Sequence, residues 1–252
     1  MKRGALFWLA ACLCGCGDDT AALNPDAAAD APPSIDAPSP DAAACSSSRD
    51  AGAGAYRIFL VFEGVALTHG TRDDAPTNTT MIGTIDPTVP PFLAGMAGRQ
   101  AIIDQIVADL QQALAPFDVE LTTTRPASGE YEMIAFGGNC MNVLGPGCRP
   151  SAPRAFSTDC GDLNHNNVIF VFDIDNTAFL AANDALTGLV VSVGLSPTTA
   201  PGDCACLSCV TPPDRLCTLG QMTPVDTMTF GCPAAGPTQD EQAYLRNIFG
   251  CR

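Results

Sequence analysis

The chain has 252 residues, 46% of them hydrophobic and 15% charged, and a formal net charge of −15. Such an acidic chain is a poor fit for nucleic acid or for anionic lipid head groups, both of which recruit basic surfaces. Its one lysine is Lys2; once an N-terminal signal is removed, Schiff-base and activated-lysine catalysis are excluded.

Met1, Lys2 and Arg3 precede an apolar run from Gly4 to Leu13. This has the shape of a secretory signal and is shorter than the roughly 20 apolar residues of a membrane span. Two cysteines lie in lipobox-like contexts, Cys16 after Leu13, Cys14 and Gly15, and Cys12 after Leu9, Ala10 and Ala11. Cys16 is the expected lipidation site and Cys12 the alternative. The segment 1–16 thus implies a bacterial lipoprotein, exported and lipid-anchored in the cell envelope, at the outer membrane or cell surface. Loss of Lys2 and Arg3 leaves 10 basic against 27 acidic residues. Residues 17–55 repeat Ala, Asp, Pro and Ser with almost nothing to bury, so they read as a disordered tether.

Residues 56–252 suit one domain with a real core. Tyr56 to Phe62 reads as a buried strand, followed by a polar loop from Thr68 to Thr80. Gly98 to Leu114 is the clearest helix: Ile102, Ile103, Ile106, Val107, Leu110, Ala113 and Leu114 form one stripe, opposite Arg99, Asp104, Gln105, Asp109, Gln111 and Gln112. Val119 to Thr123, Tyr131 to Phe136 and Val168 to Phe172 follow as strands. Next comes Asn176 to Pro197, where Phe179, Ala182, Leu186, Leu189, Val190 and Val193 keep helical spacing. Its β-branched end from Leu189 to Val193 leaves a strand open there. A last helix is expected from a capping box of Thr238 and Glu241, presenting Tyr244, Leu245, Ile248 and Phe249.

Several of these stretches together carry a resemblance: YRIFLVFEG (56–64), APFDVELTTTRP (115–126), Cys160 and Gly161 before NVIFVF (167–172), and the pair Gly194 and Leu195. They are similar to secreted metzincin-type zinc metalloproteases over most of the chain from residue 56. The resemblance implies an α/β, zincin-like single domain with a mixed sheet, two main helices and a Cys-rich C-terminal subdomain. In that family a helix carries His-Glu-x-x-His-x-x-Gly-x-x-His. Aligned on Gly194, the ligand positions hold Thr187, Val191 and Pro197, and the catalytic base position holds Gly188. Valine and proline have no ligand atom, and glycine cannot be a general base. Met228, in VDTMTF (225–230), is similar to the family's methionine turn.

Of the 13 cysteines, Cys45, Cys140, Cys148, Cys160, Cys204, Cys206, Cys209, Cys217, Cys232 and Cys251 remain as disulfide candidates in an exported chain. Thiolate zinc binding by Cys204, Cys206, Cys209 and Cys217 is the minor alternative. His69 and His165 belong to no ligand pair and read as loop residues. Asp173 and its neighbours after a strand are weighed as a calcium site with Asp159 or Asp162, against helix capping by Asp175 or Asn176. Glu63 has no placed catalytic partner.

The sequence therefore leads to a catalytically inactive metalloprotease-like domain with no cofactor, serving as a binding or structural module for a peptide or glycan. The alternative is an active metal-dependent peptidase or hydrolase with relocated ligands.

Overall fold

The computed structural model describes residues 54–149, 151–174, 177–209, 214–220, 223–226, 231–233 and 236–252. Cys12, Cys16, Cys45, Asp175, Asn176 and Met228 lie outside them.

Five strands form the main sheet: β1 (Tyr56–Val61), β2 (Val119–Thr122), β3 (Glu132–Phe136), β4 (Arg154–Phe156) and β5 (Val168–Val171). Their order is β2-β1-β3-β5-β4, parallel except for β4, which pairs antiparallel with β5 at one edge. Parallel strands are covered on both faces, which is why β1, β3 and β5 read as continuous apolar runs. Alternation still sorts their side chains. Ile58, Leu60, Phe62, Ile134, Phe136, Ile169 and Val171 join one cluster with the helices; Phe59, Val61, Met133, Ala135, Val168, Phe170 and Phe172 join a second.

The first face is covered by α1 (Arg99–Leu114) and α3 (Ala178–Ser192), which also pack on each other, and by α4 (Glu241–Phe249). The second is covered by the short α2 (Cys140–Leu144) and by Leu67, Ala75 and Val89 from the connection between β1 and α1. The domain is thus mixed α/β, with one helical face and one face closed mainly by loops.

Two sequence expectations change, and one open alternative is settled as the expected helix. Asp109, placed on the polar face of α1, is buried and accepts a hydrogen bond from Gln105 Nε2 at 2.7 Å. The cap of α4 is Asp240, whose carboxylate accepts the Ala243 N–H at 2.9 Å, while Thr238 pairs with Pro224 in a two-residue antiparallel ladder. The segment from Leu189 to Val193 is helical through Ser192, because surrounding tertiary contacts override β-branched propensity in a helix buried on every side. The edge strand β4 and helix α2 have no counterpart in the sequence reading; both are too short for a periodic signal.

Candidate functional site

Helix α3 starts at Thr177, whose hydroxyl accepts the Leu180 N–H at 3.3 Å. Its buried polar side chains are all engaged. Asn183 accepts the Cys217 N–H at 2.7 Å and donates to the Arg215 carbonyl at 2.9 Å. Asp184 forms an ion pair with Arg154 of β4, both side chains at most 10% exposed. The Thr187 hydroxyl donates to the Asn183 carbonyl at 2.9 Å, and that of Ser192 to Leu189 at 2.8 Å. The helix is therefore fixed to the edge strand and to the Cys-rich segment by its own polar groups.

Gly194 ends the helix at φ +112°, and a Cβ there would lie 2.4 Å from the Tyr244 hydroxyl and 2.8 Å from the Gly161 nitrogen. Conformation and space both demand glycine. Beyond the turn, Val191 and Pro197 converge on Gly231: a Cβ at Gly231 would sit 2.9 Å from Pro197 Cδ and 3.8 Å from Val191 Cγ1. Pro197 is also held by Asp226, whose N–H donates to the Pro197 carbonyl at 2.7 Å. Gly188 faces β5, where an added Cβ would meet Ile169 Cγ2 at 2.6 Å. Thr187, Gly188, Val191 and Pro197 are thus all buried in the interior.

A second cluster lies at the amino ends of the parallel strands and was not foreseen. Glu132, on the same face as Ile134 and Phe136, is fully buried. The Tyr56 hydroxyl donates to its Oε1 at 2.9 Å, and the Asn167 N–H at 3.4 Å. Glu132 Oε2 and Asn167 Nδ2 form no protein hydrogen bond. Burial first, and the Asp162 charge second, push the Glu132 carboxyl well above its usual range. The Tyr56 phenol is raised by burial and by the same two carboxyls. His165 is the half-exposed outer member, its Nδ1 3.1 Å from Glu130 and its Nε2 3.7 Å from Asp162. Asp73 accepts the Thr80 hydroxyl at 2.9 Å, the Met81 N–H at 2.7 Å and the Ser157 hydroxyl. No histidine stands between Ser157 and Asp73, so this contact lacks the order of a nucleophile, base and orienting acid. A glutamate inside the apolar strand EMIAF was the available sequence signal.

Among the described residues the calcium grouping does not form. Asp173, at the carboxyl end of β5, accepts N–H groups from Gly138 at 3.0 Å and Leu93 at 3.3 Å, and burial raises its pKa. Asp159 and Asp162 precede the same strand at its other end; the Asp159 carboxylate accepts the Asn164 N–H. Glu63 is exposed and pairs with Arg99 at 2.9 Å. Beside it, an open groove of ≈ 410 Å³ has an apolar floor of Leu60, Phe62, Ile103 and Val107 and a polar rim that includes Glu63 and Asp104. His69 lies in the exposed pair Thr68–His69.

The cysteines pair as Cys140–Cys148, Cys160–Cys232, Cys204–Cys217 and Cys206–Cys209, and Cys251 is also disulfide-bonded. The four cysteines of the thiolate-zinc alternative are therefore consumed by two disulfides. Near them, Asp203 accepts the Thr198 hydroxyl and the Ala205 N–H, each at 2.8 Å. Glu241 accepts the Gly220 N–H at 2.8 Å and Gln239 Nε2 at 3.2 Å. Burial, and then the adjacent Asp203 carboxylate, push the Glu241 pKa up to about 8.

Among the described residues, no three His, Cys, Asp or Glu side chains are grouped to hold a metal ion, and no helix is long and apolar enough to cross a membrane. No protein-family model matches the chain, and no curated protein is significantly similar to it.

Proposed function

We propose that this chain is an exported, lipid-anchored protein whose metzincin-like domain lacks the family's zinc chemistry and acts as a non-catalytic binding or structural module. The observation that carries this reading is the packing of the ligand-equivalent positions. Val191 and Pro197 meet at Gly231, the Thr187 hydroxyl is spent on its own helix, and Gly188 is pressed against Ile169. A zinc catalyst needs three protein ligands and an open position, and these residues supply neither. The order of β1, α1, β2, β3, the antiparallel edge strand β4, β5 and then α3 supports the metzincin-like part of the reading. The groove beside β1 and α1 is where a peptide or glycan would lie, on an apolar floor with polar groups at its margin.

The test is elemental analysis of the purified, oxidised protein, with casein cleavage measured on the same sample. The expected result is no stoichiometric zinc and no chelator-sensitive cleavage. Zinc near one per chain together with such cleavage would overturn the reading in favour of a hydrolase with relocated ligands.

A further inference from the structure

Three of the four described disulfide pairs join separate parts of the fold. Cys160–Cys232 spans 72 residues, Cys204–Cys217 spans 13, and Cys140–Cys148 ties α2 to the chain ahead of β4. Cys206–Cys209 is different. Its partners are three residues apart, and it lies wholly inside the loop that Cys204–Cys217 already closes. Cross-linking so short a loop removes little freedom from the unfolded chain, so this bond does least as a staple.

Its surroundings suit exchange. Cys206 is 5% exposed and fixed, its N–H donating to Asp203 at 3.2 Å in a turn that the Asp203 carboxylate also holds through Ala205. Ser208 is exposed and Cys209 half-buried. An incoming thiolate therefore meets the Cys209 sulfur before that of Cys206. The Cys206 Sγ, which would leave, lies 4.0 Å from the Ser208 hydroxyl, a donor able to stabilise the departing thiolate.

We propose that Cys206–Cys209 is an exchangeable disulfide that accepts two electrons from a dithiol on a partner protein, independently of whether the domain binds metal. The first thiolate of the dithiol attacks Cys209 Sγ; a mixed disulfide forms and Cys206 leaves as a thiolate, which then takes up a proton. The second thiolate of the donor attacks its own sulfur in the mixed disulfide and releases Cys209. The donor ends as a disulfide and Cys206 and Cys209 end as thiols, so electrons and protons balance.

The experiment uses the folded, oxidised chain in buffers of graded reduced-to-oxidised dithiothreitol, quenched in acid. Two distinguishable alkylating labels then report the redox state of each cysteine by mass spectrometry. Cys206 and Cys209 are expected to be reduced at a dithiothreitol ratio about tenfold less reducing than Cys204 and Cys217 require, with the circular dichroism spectrum unchanged. Reduction together with or after Cys204 and Cys217, or accompanied by unfolding, would make the bond a structural clip only and overturn the proposal. The direction of attack is read separately from single variants. The free Cys209 of Cys206→Ser is expected to react with an aromatic disulfide reagent about tenfold faster than the free Cys206 of Cys209→Ser, following exposure; equal or reversed rates would overturn the assignment of Cys209 as the attacked sulfur.

Discussion

In β1, β3 and β5 the chain is held by apolar side chains stacked on both faces of a sheet. Phe62 and Phe136 lie in parallel offset contact at 4.5 Å between ring centres, with Phe92 edge-on to both. Beyond α3 the means change. Val193, Leu195, Pro197, Ala205, Leu245 and Phe249 apart, the buried apolar residues described there are Cys204, Cys206, Cys217 and Cys232. The rest of the interior is polar: Ser196, Thr198, Asp203, Thr223 and Glu241. One region is stabilised by removing hydrocarbon from water, and the other by cross-links and satisfied hydrogen bonds. A segment poor in apolar residues can still be ordered if it is tied to a core that folds without it.

The strongest way to break this contrast is to open a cavity in the sheet region. Phe136 is fully buried against two other rings, and Phe136→Ala is expected to cost about 3–5 kcal/mol. Urea unfolding should show the loss, and hydrogen exchange should show β3 and α4 losing protection together, because Leu245 and Phe249 share the sheet's cluster. Protection kept in α4 while β3 opens would show that the cross-linked segment stands alone.

The next effect belongs to the polar region. Glu241 has a folded pKa of about 8 against an ordinary 4.5. A carboxyl raised on folding contributes stability that is complete below about 4.5 and is lost as pH rises through 8, with a slope approaching 1.4 kcal/mol per pH unit between the two values. The neutral form is the one tolerated beside Asp203. Glu241→Gln keeps a neutral side chain at every pH, so it should flatten the stability profile between pH 5 and 8 and leave the variant more stable than wild type at pH 8.5. Unfolding midpoints at five pH values check this; an unchanged profile would place the proton elsewhere, with Glu132 the next candidate because its shift has the same sign.

The difference between the regions also explains what the sequence revealed. IFLVF, EMIAF and VIFVF announce buried parallel strands because both faces are apolar, and α1 announces itself by its stripe. The exit of α3 was legible through Gly194, where only one residue type fits. The polar interior was not. Asp109, Glu132, Asp203 and Glu241 look like surface residues in a sequence, since burial of a carboxyl depends on partners distant in the chain, such as Tyr56 for Glu132 and Gly220 for Glu241. Disulfide pairing was hidden for the same reason: ten candidate cysteines fix no connectivity. At Thr187, Val191 and Pro197 the sequence shows only the residue types, and the packing around them emerged only with the fold.

The smallest effect bears most closely on function. Gly188 sits inside α3, where alanine would gain roughly 1 kcal/mol of helix propensity. Its added Cβ would meet Ile169 Cγ2 at 2.6 Å, and overpacking a filled interior costs about 1–3 kcal/mol. Gly188→Ala is therefore expected to lower stability by about 1 kcal/mol on balance. In an Ile169→Ala background, where that methyl group is gone, the same change should become stabilising. A double-mutant cycle in urea reads both values and isolates the contact. If Gly188→Ala stabilises the unaltered chain, the position faces open space, and a larger side chain such as a catalytic glutamate has room there. If the two changes are coupled as expected, α3 lies too close to β5 for a larger side chain at position 188.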